Sequence, residues 1–362
     1  MADSIHFARW LSQFGDEHTF EIVSSSPHRR VHPVILARLR SADNVRMTGF
    51  SKFLSLPMWV LDRLCSDWIR GLFIAARINY FEPDLVHVHE LQNAGYATRR
   101  AFQILRKKPR LVVTNYGSEL VWFLSYKSHR NRLQALLSLA DSFSAECKRD
   151  YALAKEISPG IHCLPLMPVA GGLATEEGET RRDFITVKGY ENKWGKALFV
   201  INTLSEISEA LAGKTLVIYS ASLRVRRTAS RIARQRGISL IVFRKGELTH
   251  SEVLSLFKRS IIFIGHSLSD GISTAMLESM SRGAIPVQTN SSCASEWVTD
   301  RKTGYLVEPL NGAELRRAVI DILNWPEVQL SQARSENFRV LRDRYDPATL
   351  SAVALSYYRE AP

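Results

Sequence analysis

The chain reads as an α/β protein of two doubly wound domains facing a cleft. Three observations predict this. Apolar, β-rich runs alternate with helical patterns along its 362 residues, and the alternation occurs twice. A stretch rich in Pro, Gly, Thr and Glu, residues 166–183, separates the two series. After one buried run, 260–265, a short loop carries Asp270 and ends at Gly271, and a helix then carries Glu278. Parallel sheets bind ligands at that end of their strands.

The first series places strands at 20–26, 85–89, 111–116 and 142–145, with helices such as 94–105 and 130–140 between them. The second places strands at 184–187, 216–220, 240–243, 261–265 and 285–288. Thr249 and Glu252 form a capping-box pair ahead of Val253 and Leu254, which marks a helix start. Residues 336–360 read as a helical tail that packs back across both domains. The expected organisation is a first domain at 1–168, a linker at 169–183, a second domain at 184–335 and the tail at 336–362.

Length allows each domain its own core. No run of about 20 uninterrupted apolar residues is present, so no spanning helix is expected; the most apolar stretch, 68–81, is broken by Arg70 and Arg77. No secretory signal is visible, and Cys65, Cys147, Cys163 and Cys293 show neither metal spacing nor a paired framework. They read as reduced thiols in a cytoplasmic protein. The formal charge of +12 implies an anionic partner: a nucleotide-sugar, an anionic lipid surface or nucleic acid.

The loop at 265–273 suits an anion. The first amides of a helix lack intrahelical partners and carry the positive end of the macrodipole. Gly271 admits a close approach, so the amides of Ile272 and Ser273 are expected to hold a phosphate. Glu278 follows about 7 Å along the helix axis, at roughly 1.5 Å per residue. That matches the reach from a diphosphate to its ribose, and an ionised carboxylate accepts hydrogen bonds from a sugar diol.

The segment Ser269-Asp270-Gly271-Ile272-Ser273, then Met276-Leu277-Glu278-Ser279-Met280-Ser281-Arg282-Gly283-Ala284-Ile285-Pro286-Val287, resembles the signature of retaining glycosyltransferase family 4, of the GT-B fold. Glu296-Trp297-Val298 and Thr303-Gly304-Tyr305-Leu306-Val307 extend the match. Upstream, Pro83-Asp84-Leu85-Val86-His87-Val88-His89 and Val113-Thr114-Asn115-Tyr116-Gly117-Ser118-Glu119-Leu120 resemble the strands on the acceptor side. The resemblance spans nearly the whole chain. It implies two Rossmann-like domains and a C-terminal helix returning to the first.

It also implies roles. Glu278 would hold the ribose hydroxyls, and Gly271, Ile272 and Ser273 the diphosphate. Asp270, in place of a more usual glutamate, would sit near the transferred sugar and stabilise charge developing at its anomeric carbon. Tyr190 stands where the family has an arginine, so Lys193 and Lys196 are the candidates to neutralise the leaving diphosphate, with Lys196 favoured. His6, His89, Gly117 and Ser118 fall on the acceptor side, and Tyr116 replaces a common histidine. The family opens with a buried strand that is absent from Met1-Ala2-Asp3-Ser4-Ile5-His6; residues 6–13 read as the helix after it.

Each assignment has a structural counterpart. Asp270 also suits a helix-start carboxylate, and the two lysines suit ordinary surface positions. His87 and His89 alternate with valines, share one strand face and lack a metal-spaced partner, so no metal is expected. The arginines at 224, 226, 227, 231, 234 and 236 read first as a solvated helix face and second as a contact for anionic lipid. Residues 53–61 with Arg63 read as core, as a groove cover or as a segment dipping into a membrane interface.

The expected function is sugar transfer from a nucleotide-diphosphate sugar to an acceptor hydroxyl with retention. The expected setting is cell-surface polysaccharide, lipopolysaccharide or glycolipid synthesis, with no cofactor, in the cytoplasm or on the inner face of the cytoplasmic membrane. The alternatives are a nucleotide-sugar epimerase of the same fold and a degenerate, non-catalytic binding protein. Nucleic acid is disfavoured because aromatic and glycine-rich RNA signatures are absent.

Overall fold

The computed structural model describes residues 4–24, 31–49, 55–176, 182–291 and 293–359. Parts of the strand expected at 20–26, of the apolar segment 53–61 and of the linker lie outside them. The chain divides into two units, residues 1–172 with 348–362, and residues 173–347.

The first unit opens with α1 (Ile5–Leu11), capped by the Ser4 side chain, which accepts from the His6 amide. Strand β1 (Phe20–Val23), α2 (Pro33–Ser41) and β2 (Val45–Thr48) follow, and β1 and β2 pair in parallel as a separate two-stranded sheet. Next come α3 (Ser55–Leu64), α4 (Trp68–Phe81), β3 (Leu85–His89), a π-turn at Leu91–Gly95 and α5 (Tyr96–Ile104). Then β4 (Arg110–Asn115), α6 (Ser118–Val121), α7 (Lys127–Leu137), β5 (Ser142–Ala145), α8 (Lys148–Ile157) and β6 (His162–Cys163) complete a parallel sheet of order β3-β4-β5-β6. The strands of this sheet read as short apolar runs because helices cover both faces, and Leu111, Val113, Phe143 and Leu133 form its core. Arg70, buried in the apolar helix α4, is paired with Asp62 and Asp67, and Asp67 also meets Arg132. A buried charge persists only when compensated in this way.

The second unit runs β7 (Phe184–Lys188), α9 (Ala197–Ser205), β8 (Thr215–Ala221), α10 (Leu223–Arg236), β9 (Ser239–Arg244), α11 (His250–Lys258), β10 (Ser260–Gly265), α12 (Thr274–Met280), β11 (Ile285–Thr289), β12 (Tyr305–Val307), α13 (Gly312–Leu323) and α14 (Glu327–Arg344). Its six strands are all parallel, in the order β12-β11-β10-β7-β8-β9. The chain winds outward one way from β7 and the other way from β10. The switch point between those two central strands is where doubly wound sheets form ligand crevices. Strand β10 is buried at every residue, as a central strand must be.

Helix α10 turns Val225, Ala229, Ile232 and Ala233 inward and leaves its six arginines exposed. Gly237, at φ 67°, ends it in the left-handed region. The expected single tail helix is instead α14 and α15 (Pro347–Arg359), broken before Pro347, which disfavours helical geometry in the preceding residue. Residues 348–362 belong to the first unit, where Trp10 Nε1 donates to Tyr358 Oη at 2.9 Å. No helix among the described residues is long and apolar enough to cross a membrane.

Candidate active site

In the second unit the candidate residues collect at the carboxyl ends of β7 and β10. Strand β7 leads into a loop whose Gly189 touches the β8 backbone so closely that a Cβ would lie 2.7 Å from the Tyr219 carbonyl. Asn192 organises that loop: its side-chain oxygen accepts from the amides of Trp194 and Gly195, both at 2.8 Å. The loop then zips onto the one that follows β10. The Lys196 amide donates to the His266 carbonyl at 3.2 Å, and the Leu268 amide donates to the Trp194 carbonyl at 3.0 Å. Lys193, Lys196 and Asp270 therefore lie on two loops bonded to each other. Lys196 Nζ donates to the Asn192 carbonyl at 3.1 Å, and Lys193 stands over the Trp194 ring. Asp270, half-buried, accepts from the Gly271 amide at 3.0 Å.

The helix of Glu278 opens later than the sequence suggests. Its first residue is Thr274, and Ser273 is the N-cap, accepting from the Met276 amide. Gly271 and Ile272 belong to the preceding loop, with Ile272 buried. A serine two residues after the glycine outcompetes it as a cap because its hydroxyl satisfies an orphan amide. On this helix Glu278 is only 8 % exposed, and its Oε1 lies 2.8 Å from His250 Nε2.

His250 is the first residue of α11, placed by the capping box: Thr249 accepts from the Glu252 amide, and Glu252 accepts from the Thr249 amide at 2.7 Å. The half-exposed imidazole thus reaches the buried carboxylate from a helix start that is legible in the sequence. Nearby on β8, the Tyr219 hydroxyl is buried without a hydrogen-bond partner among the described residues. Burial first, and the neighbouring Glu278 carboxylate second, push its pKa well above the usual range, so it stays a donor. His266 adds a second unsatisfied donor. Its Nε2 accepts from the Leu310 amide at 3.0 Å, and burial holds its pKa down at about 4. The neutral ring therefore carries its proton on Nδ1, which has no described partner. His250 and Tyr219 escaped the sequence reading because only tertiary structure brings them to Glu278; His266 follows β10 directly, but its bond to the distant Leu310 amide is not legible in the sequence.

In the first unit the expected acceptor-side residues meet at the carboxyl ends of β3 and β4. His89 Nδ1 lies 2.7 Å from the Tyr116 hydroxyl, and the His6 ring is 5.8 Å from the Tyr116 ring. Burial holds the His89 pKa down at about 3. Gly117 has φ 94° and ψ −101°, and Ser118 begins α6. Beside them Glu119 accepts from the amides of Leu91 and Tyr116 at 3.2 and 3.4 Å. Burial, reinforced by Glu90, pushes its pKa up to about 8. His87 is a packing residue, bonded to Tyr358 Oη at 3.1 Å and Thr114 Oγ1 at 2.6 Å.

Residues 201–339, which include Asp270 and Glu278, match the family described as glycosyl transferases group 1. No curated protein matches the sequence. Among solved structures, HepE of Anabaena in complex with UDP and glucose has a TM-score of 0.71 at 12 % identity, covering 99 % of this chain and 95 % of that one. A glycosyltransferase of Rickettsia africae gives 0.67 at 14 % identity, covering 98 % and 93 %. A UDP-forming α,α-trehalose-phosphate synthase of Burkholderia vietnamiensis gives 0.62 at 12 % identity, covering 81 % and 76 %. At such identities the shared property is architecture: this chain has the α/β GT-B fold.

Proposed function

We propose that the chain is a retaining glycosyltransferase that moves a sugar from a nucleoside-diphosphate sugar to a hydroxyl of a glycan or lipid-linked acceptor. The observation that carries this reading is the buried Glu278 carboxylate, held by His250 beside the switch point of a parallel sheet. A nearly buried carboxylate held by an imidazole can accept hydrogen bonds from a ribose diol. The group 1 match covers this site, and the structure of HepE with UDP and glucose recommends UDP-sugars as the first donors to test.

In this reading the loop after β10 presents Gly271, Ile272 and Ser273 to the diphosphate, and Lys196 and Lys193 offset its charge. Asp270 faces the transferred sugar and stabilises the cationic character of its anomeric carbon as the bond to the diphosphate breaks. The acceptor oxygen bonds to that carbon on the same face, and its proton passes to the departing diphosphate. His6, His89, Gly117 and Ser118 serve the acceptor. The chemistry assigned to these residues calls for no metal or cofactor.

The exposed arginines of α10 would hold the enzyme on an anionic membrane surface. Pelleting with phosphatidylglycerol vesicles and not with neutral ones tests that arm. For the activity, the protein is incubated with UDP-sugars with and without glycan acceptors. Acceptor-dependent release of UDP with an axial or equatorial linkage matching the donor supports retaining transfer. Donor isomerisation without any acceptor would instead identify an epimerase, and no affinity for any nucleoside diphosphate by calorimetry would remove the donor site.

A further inference from the structure

Strand β8 sends alternate side chains to opposite faces of the second sheet. Leu216 and Ile218 join the apolar cluster that also holds Val200 and Ile201 of α9 and Val225 of α10. Tyr219 turns the other way, and its ring meets that of Phe257 on α11 edge-on at 5.7 Å. The strand is irregular at this residue. Its register with β9 shifts between Ile218 and Ala221, and Ser220 has φ 56°, a value that a residue with a side chain rarely takes. Bulges next to binding sites re-aim side chains, and strained backbone persists where its surroundings hold it. On the β7 side the Gly189 amide donates to the Tyr219 carbonyl at 2.8 Å, so the loop after β7 fixes this residue as well.

The result is a phenol held in the interior with nothing to bond. Tyr219 is 5 % exposed, and its hydroxyl has no hydrogen-bond partner among the described residues. A phenylalanine would fill the same space without an orphaned donor, so packing alone does not account for the hydroxyl. The carboxylate that acts on it is Glu278. If the tyrosine served only to hold that carboxylate, as His250 does, it would donate to it directly, and it does not. A donor and a carboxylate that neighbour each other without bonding suit a third group, one that donates to the carboxylate and accepts from the phenol. A sugar hydroxyl does both, having one O–H and two lone pairs.

We infer that Tyr219 and Glu278 together read one hydroxyl of the nucleotide's ribose, which donates to the carboxylate while it accepts from the tyrosine O–H. The inference rests on the reading of Glu278 as the ribose carboxylate and adds a specificity-determining residue to it. Tyr219 makes the site selective for ribonucleoside over deoxyribonucleoside diphosphates. A deoxy ligand leaves a buried donor and a buried carboxylate without the group that joins them. Sites built to bond a hydroxyl reject the analogue that lacks it far more strongly than apolar pockets reject a missing methylene.

The test is calorimetry on the whole chain. UDP, GDP and ADP are titrated into the wild-type protein, and the tightest binder is compared with its 2′-deoxy and 3′-deoxy forms. Loss of one of the two hydroxyls should weaken binding about thirtyfold or more. Tyr219→Phe should weaken binding of the ribonucleotide about tenfold. It should bind that deoxy form within about twofold of wild type, because variant and analogue remove the two ends of one bond. Without ligand the variant should melt no lower than wild type, since the hydroxyl it lacks had no partner to lose. Equal affinity of the wild-type chain for the ribonucleotide and both deoxy forms overturns the inference, and that arm needs no variant. So does Tyr219→Phe weakening all the forms alike, or none of them; the hydroxyl would then serve packing or a bound water. In each of these cases a loss of affinity in Glu278→Gln leaves the ribose role of that carboxylate standing. If no nucleoside diphosphate binds the wild-type protein, the donor-site reading falls and the inference falls with it.

Discussion

The Nε2 atom of His250 stands 2.8 Å from Oε1 of Glu278, joining the first turn of α11 to the middle of α12. If the carboxylate grips a ribose, its orientation matters as well as its charge. Glu278→Gln is expected to weaken UDP binding by about one to two orders of magnitude, within the range for charged hydrogen bonds. His250→Ala should cost less, and the double variant less than the sum, because neighbours sharing one bond are not additive. Calorimetry on the four proteins measures this, and additive losses would show that His250 plays no part in orienting Glu278.

Asp270→Ala is expected to lower kcat about a hundredfold or more with little change in UDP affinity, as for loss of a group that acts on developing charge. The half-buried side chain accepts from the Gly271 amide within an irregular loop, and thermal melting checks that the fold survives the change. Wild-type turnover by this variant removes Asp270 from the mechanism.

The chain should be acid-sensitive well above the carboxylate range. Burial holds His89 at about 3, His266 at about 4, and His87 well below its usual value. All three are neutral in the folded chain at pH 7. Below about pH 6.5 the unfolded chain takes up protons that the folded chain refuses, so stability falls as pH drops, by up to about 1.4 kcal/mol per pH unit for each such group. Urea midpoints at pH 7 and pH 5 measure the slope. His89→Gln should be less stable at pH 7 yet lose less on acidification, and an unchanged slope would count against a buried neutral His89.

Gly117→Ala should destabilise the first unit by about 1–3 kcal/mol, the usual strain for a side chain in so sparsely populated a region. Since Gly117 leads Ser118 into α6, the acceptor KM should rise while UDP affinity stays the same. Equal stability of the two proteins in urea would contradict the strain.

Much of the second unit was legible because its signals are local. The buried run before Gly265, the capping box at Thr249 and Glu252 and the glycine at 283 all mark their elements on the page of the sequence. The start of α12 was misplaced by a competition between Gly271 and Ser273, which only the cap hydrogen bond resolves. Strands β6 and β12 went unread because two and three residues are too short for a periodic signal, whereas β2 is as long as β1 and β5 and only its pairing with β1 reveals it. His250 could be placed at a helix start but not beside Glu278, since that meeting spans 28 residues and depends on how α11 and α12 cross.

The return of α15 has a consequence for synthesis. Trp10 and His87 both bond to Tyr358, and the buried Tyr357 hydroxyl donates to the Pro165 carbonyl. A chain leaving the ribosome can finish residues 173–347 before those tyrosines emerge, yet the portion made first must wait for α15 to be made. Maturation of that part therefore runs against the order of translation, and a stop codon ahead of Tyr357 would leave the oldest part of the polypeptide unfinished.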